Sequence, residues 1–164
     1  MTDPSESVAR IVTFNGGRIV GKTRLQKIFF LLESNGIGFG LDFDYHHFGP
    51  FSAELAQAAD DARELGYISE THEMGFHQVP YYVFETKNYP TPSETDETDQ
   101  KRMGALETMK EYSALELEVA ATAIYLRDNG FQDSFVDELK IRKPQKATPD
   151  RIRRALQLIK KLGL

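Results

Sequence analysis

Gly16-Gly17-Arg18-Ile19-Val20-Gly21-Lys22-Thr23 is the stretch whose reading decides between two folds. The string fits G-x-x-x-x-G-K-[ST], a loop that cradles phosphates with consecutive backbone N–H groups between a strand and a helix. Arg10 to Phe14 can be taken as that strand, and a helix can begin at Thr23. The residues between the glycines argue the other way. Ile19 and Val20 are β-branched and apolar, which suits a buried strand better than a phosphate nest. A nucleotide-binding α/β fold also needs alternating strand–helix units and an acid for Mg²⁺ on a second buried strand. After Leu32 the chain offers an alternating segment, a hairpin and then helices. Arg18 to Val20 therefore reads as a short strand pairing with the hairpin, and nucleotide binding ranks third among the functional readings.

Outward from this string, the pattern is helical on both sides. Val8, Ile11 and Val12 recur at helical spacing after Pro4, and Gly16-Gly17 close the segment. Thr23 opens a helix with the stripe Leu25, Ile28, Phe29 and Leu32, which Asn35-Gly36 ends. Leu41 to Phe48 alternates and reads as extended, with Gly49-Pro50 breaking it. Ser52 caps a third helix whose inner face is Leu55, Ala58, Ala59, Ala62 and Leu65. Tyr67 to Glu73 and Val79 to Thr86 are the arms of a hairpin turning near Met74-Gly75. Helical patterns follow over about Lys101 to Tyr112, from a Ser113/Glu116 capping box that leads into a helix burying Leu115, Val119, Ala123 and Leu126, near Asp133 to Leu139, and from Thr148-Pro149 with the stripe Ile152, Ala155, Leu156, Ile159 and Leu162. The expected fold is α+β and helix-rich: a winged-helix core of three helices plus a β-hairpin wing, with additional C-terminal helices. Residues 1–86 form the winged-helix-like core, 87–100 a mobile acidic loop with Pro90 and Pro92, and 101–164 a helical extension packed on the core as one domain.

Composition narrows the function classes. The 164 residues suffice for one core, and there is no cysteine for disulfides, thiolate metal sites or thiol catalysis. No apolar run nears the roughly 20 residues of a membrane span, and the acidic start lacks a signal-peptide pattern, so a cytoplasmic location is expected. Net charge is −5 but uneven. From Lys140 onward there are nine Lys/Arg against Asp150 alone, leaving 11 basic and 24 acidic residues before it. An acidic body repels a phosphate backbone, while a basic tail either docks on that body or reaches an anionic partner.

The candidate site residues are few. Asp42, Asp44 and His46 share one face of the extended segment, but no third cluster supports a metal, and His47 falls on the core side with Phe43 and Tyr45. Gln26 reads as satisfying buried backbone groups and Lys27 as pairing with an acid of the body. The third helix occupies the recognition position of a winged helix. It shows Ser52, Ala53, Glu54 and Gln57, then Asp60, Asp61 and Glu64, with Arg63 alone against them, which is poor chemistry for a phosphate-lined groove. The candidate contacts to a partner or nucleic acid are Arg18, Lys22, Arg24, Lys27, Gln57, Arg151 and Arg154. No catalytic residue, metal or cofactor is assigned.

Gly17 to Ile28, with its Leu25-Gln26-Lys27 element, resembles the opening of the YwgA-like bacterial proteins, related to the Panacea (SocA-like) antitoxin domain. Tyr45-His46-His47-Phe48-Gly49-Pro50-Phe51-Ser52 is similar to that group's aromatic-Gly-Pro-aromatic-Ser element before a helix. Leu115 to Ala123 and the Lys143-Pro144 and Lys146-Ala147 segment extend the match over most of the chain. The resemblance implies a winged-helix-like, non-enzymatic module of regulation or protein interaction, antitoxin-like in the nearest case. A protein partner is expected, a DNA-binding transcriptional regulator is the alternative, no membrane is involved, and a homodimer is left open.

Overall fold

A computed structural model describes residues 3–86 and 95–164, apart from the His77 side chain. Helix α1 (Pro4–Phe14) leads to strand β1 (Arg18–Val20) and helix α2 (Lys22–Ser34). A small hairpin, β2 (Asp44–His46) and β3 (Gly49–Phe51), precedes α3 (Ala53–Glu64). The long hairpin β4 (Ile68–Met74) and β5 (Pro80–Thr86) follows, with a 3₁₀ turn at its tip. Then come α4 (Glu97–Met109), α5 (Ala114–Asp128), α6 (Phe135–Arg142) and α7 (Pro149–Lys161). The larger sheet is antiparallel, in the order β1-β5-β4. No helix of the described residues is long and apolar enough to cross a membrane.

The helix starts follow from their caps. Asp3, Ser52, Asp96 and Thr148 accept hydrogen bonds from first-turn amides, and Pro4 and Pro149 occupy positions where no amide is needed. Ser113 and Glu116 form the reciprocal capping box at α5. Gly16 and Gly17 both take positive φ, and their amides bond Thr13 O and Val12 O, ending α1. Arg18 to Val20 then pairs with the hairpin, Ile19 opposite Phe84. Ile19 is buried and Val20 half-buried, as two β-branched residues between glycines predict.

A single cluster of buried side chains runs from Val8 through Phe29, Leu55, Phe84, Leu106 and Ile124 to Leu162. The basic C-terminal helix docks on the body through Ile152, Ala155, Leu158, Ile159 and Leu162. Ion pairs Arg154–Glu116 at 3.0 Å and Lys161–Glu111 at 3.4 Å flank that contact.

Several local expectations change. Leu156 is 38% exposed and Leu158 fully buried, so the stripe of α7 is rotated from the one expected. Leu115 is likewise exposed, because α5 turns Leu117 and Glu118 inward. Gly49-Pro50 does not simply break the extended segment. It forms the return strand of a tight hairpin, with Asp44 opposite Phe51 and Tyr45 opposite Pro50. His47 lies at that turn and is exposed rather than in the core, while Phe43 and Tyr45 do point inward. The short helix starts at Phe135 and reaches Arg142. The loop expected over 87–100 lies outside the described residues at 87–94. Its last four residues are instead the first turn of α4, because Asp96 caps the helix and Asp99 is held inside by Arg10 and Arg102.

Candidate functional site: a cationic groove beside β1 and a buried lysine cluster

The glycine string lies at one wall of an open groove of about 490 Å³ lined by Asn15, Arg18, Val20, Arg24, Lys110 and Ala114. Its three glycine amides are used within the fold. Those of Gly16 and Gly17 close α1, and that of Gly21 donates to Tyr82 O at 2.7 Å. Arg18 is exposed and pairs loosely with Glu73 at 3.7 Å. Arg24 donates to Tyr112 O and Met109 O, both at 2.9 Å, and so closes the carbonyl end of α4. Burial lowers its guanidinium pKa from the ordinary value. Lys110 leans toward Gly16 and pairs with Glu107 at 2.8 Å. Lys22 is exposed, over the Tyr82 ring at 4.1 Å. It borders a second, smaller cavity of about 100 Å³ between α2, α3 and the sheet.

The other candidate residues separate. Gln57 is exposed on α3 and bonds Asp61. Arg151 caps the carbonyls of Gln145 and Lys146, and Arg154 holds Glu116 and Glu111 O over the Tyr112 ring. Arg154 therefore fastens α7 to the body, while Arg151 closes the turn that leads into its own helix. Lys27 is 1% exposed and is not on any surface where a partner could meet it.

Lys27 belongs to a buried polar cluster that joins stretches far apart in sequence. Its Nζ donates to Pro50 O at 2.6 Å rather than to an acid of the body. Next to it, Gln26 donates to Ser52 O and accepts from Ser52 N, at 2.9 and 2.8 Å, as expected of a side chain satisfying buried backbone. Glu118 is buried and accepts from Lys143 and Lys146, each at 2.9 Å. Lys143 also reaches His47 O, and Lys146 lies over the Phe48 ring. Three ammonium groups thus face one carboxylate. Burial pushes the Lys27 pKa down to about 8; Glu118 opposes that shift, and Lys143 and Lys146 add to it. Thr122, one turn from Glu118, has a buried hydroxyl with no hydrogen-bond partner among the described residues. This cluster ties the β2–β3 hairpin to α2, α5 and the segment after α6.

Spacing along the chain could not reveal the cluster, since Lys27, Glu118 and Lys143 come from three separate helical regions. One signal was present: Glu118 stands in an α5 stretch that is apolar on nearly every side. Among the described residues no group of three His, Asp or Glu is placed to hold a metal. Asp42, Asp44 and His46 do line the outer side of the small hairpin, each exposed.

No protein-family model matches the chain. It is similar to the uncharacterized protein YwgA of Bacillus subtilis (strain 168), 29% identical over 153 residues and covering 90% of each chain. This likeness supports a YwgA-like family for the chain.

Proposed function

We propose that the protein is a non-enzymatic, cytoplasmic regulatory module with a winged-helix core, acting by protein–protein interaction. The arrangement α1, β1, α2, α3, β4, β5 with sheet order β1-β5-β4 supports the winged-helix reading, with β4–β5 as the wing. The observation that carries the interaction reading is the wing tip. Met74, Phe76 and Val79 are 64%, 95% and 62% exposed, and no Lys or Arg occurs from Ile68 to Thr86. An apolar, cation-free tip suits a protein pocket and not a phosphate backbone. The exposed face of α3 is acidic at Glu54, Asp60, Asp61 and Glu64, which repels DNA where a recognition helix would enter the groove. The resemblance to Panacea-related antitoxins makes an antitoxin-like role the nearest specific form of this reading.

The test is a comparison of the wild type with Met74→Ser/Phe76→Ser. Co-purifying protein should be lost from the variant while its melting temperature stays the same. Duplex DNA should not bind either protein at about 50 mM salt. The second reading, a DNA-binding regulator, draws on Arg18, Arg24 and Lys110 around the groove beside β1 and on Lys22 at the border of the neighbouring cavity. It would replace the first if DNA bound and charge reversal at Arg18 and Lys22 abolished that binding.

A further inference from the structure

We propose that the open edge of β1 and the groove beside it accept an extended acidic peptide segment of a protein partner, added to the sheet as a fourth strand. This rests on the protein-interaction reading above but uses a different surface from the wing tip.

Among the described residues, the hydrogen-bond register leaves most of the outer edge of β1 unpaired. Thr86 N donates to Gly17 O at 3.1 Å and Gly21 N donates to Tyr82 O. In an antiparallel ladder the paired positions alternate, so residues 17, 19 and 21 bond β5, and the main-chain groups of Arg18 and Val20 point away from it. Asn15 Nδ2 occupies Arg18 O at 2.9 Å. Among the described residues nothing bonds the Arg18 N–H, the Val20 N–H or the Val20 C=O. An unpaired edge is a template for another strand.

The groove gives that strand a chemistry. Arg24 is fixed by two carbonyls, and among the described residues it forms no ion pair with a carboxylate. The ion pairs of Arg18 and Lys110 are solvent-exposed and easily exchanged for a ligand's carboxylates. Alternate residues of an added strand point the same way, so acids at every second position would meet these cations. The positions between them would take β-branched residues against Val20 and Ala114. A nucleic-acid backbone fits less well. It offers only acceptors, and the free edge presents a carbonyl as well as N–H groups.

The experiment pans a displayed random octapeptide library on the full chain, then measures the enriched peptides by fluorescence anisotropy. Enriched peptides should alternate Asp or Glu with β-branched residues. Val20→Pro removes the outward N–H at an edge position where proline is tolerated. It should weaken binding at least about tenfold, as should Arg18→Glu/Lys110→Glu, with melting temperatures unchanged. Val20→Ala keeps the outward N–H and trims only the apolar contact, so it should weaken binding clearly less than Val20→Pro does. Should Val20→Pro fail to fold, the charge-reversed variant and slowed exchange of the Val20 amide in the complex carry the test. Met74→Ser/Phe76→Ser should keep peptide binding, so failure here and failure of the wing-tip reading are told apart. The proposal is overturned if no acidic peptides are enriched, or if the groove variants bind them as tightly as wild type. It is also overturned if the acidic peptides bind elsewhere and a duplex of about 20 base pairs occupies the groove instead.

Discussion

Lys27 Nζ donates to Pro50 O at 2.6 Å from a fully buried position, and among the described residues it forms no ion pair. The ammonium has exchanged water for one carbonyl and a distant carboxylate, which costs stability whenever it is charged. Burial lowers its folded pKa to about 8, against 10.5 ordinarily. Below pH 8 both the folded and unfolded chains carry the proton, and the full penalty applies. Between about 8 and 10.5 the folded chain has released it and the unfolded chain has not, so stability rises with pH. The rise amounts to at most about 3 kcal/mol and is complete near the unfolded value. Lys27→Met should remove this rise. Urea unfolding of both proteins at pH 7, 8, 9 and 10.5 should show the wild type gaining stability relative to the variant as pH rises; parallel curves would refute it.

Gln26 makes the complementary case, a buried polar side chain with both ends satisfied. Its amide closes two bonds to the backbone of Ser52, the residue that also caps α3. Gln26→Leu leaves a buried N–H and C=O without partners, at about 1–3 kcal/mol each. The variant should lose roughly 2–6 kcal/mol in denaturant unfolding. A loss below about 0.5 kcal/mol would mean that water takes over both groups.

Asp99 was hidden in the sequence by its neighbours. Glu94, Asp96, Glu97 and Asp99 together with two prolines look like a solvated acidic run. In the fold Asp99 is 1% exposed, between Arg10 and Arg102, while Arg102 also holds Ile37 O and Gly38 O. Burial alone would raise the Asp99 pKa; hydrogen bonds and charges from the two arginines overcome this and hold it below 3.8. A depressed carboxyl stabilises the fold above its unfolded pKa and loses that contribution as pH falls through the folded value. Asp99→Asn should therefore cost about 3–5 kcal/mol at pH 7, by leaving two arginines without their shared carboxylate. The difference from wild type should shrink as the pH drops below 3.8, and acid-titrated circular dichroism of both proteins measures it.

Patterns of short range were legible, and long-range convergence was not. Ile19 between glycines, the Ser113/Glu116 box and the hairpin arms each declare themselves within a few residues, because caps, turns and alternation are local physics. Lys27, Glu118 and Lys143 meet only through tertiary packing, so no spacing rule links them. His47 was misplaced because alternation holds only within a strand, and the strand ends at His46. On α7 the apolar positions span a wide arc, and packing against the body, not the helix's sequence alone, selects Leu158 over Leu156.

That choice is directly measurable. Leu158→Ala removes a fully buried side chain and should cost about 2–4 kcal/mol, whereas Leu156→Ala should cost less than about 1. Deleting residues 149–164 should strip the cover from the core and lower the melting temperature sharply. Because one flanking ion pair is exposed and the other half-buried at the rim of an apolar contact, adding salt should change the stability of the intact chain little. Reversal of the leucine ranking would show that α7 packs through its other side.

Gly49 and Thr122 form the tightest junction of the buried cluster. A Cβ at residue 49 would lie 2.6 Å from Thr122 Oγ1, and Gly49 has φ +91°. Two separate penalties follow for Gly49→Ala: a left-handed backbone costing about 1–2 kcal/mol, and a collision with a side chain on a rigid helix. Only the second depends on Thr122. Gly49→Ala should destabilise by more than about 2 kcal/mol, and Gly49→Ala/Thr122→Ala by less than the two single changes added together. The backbone part should survive in the double variant. Thr122→Val keeps the shape while removing a hydroxyl that has no partner, so alone it should be neutral or stabilising by about 1 kcal/mol. A double-mutant cycle in urea reads the coupling. Strict additivity would place the whole cost of Gly49→Ala in the backbone and leave the close approach to Thr122 without energetic weight.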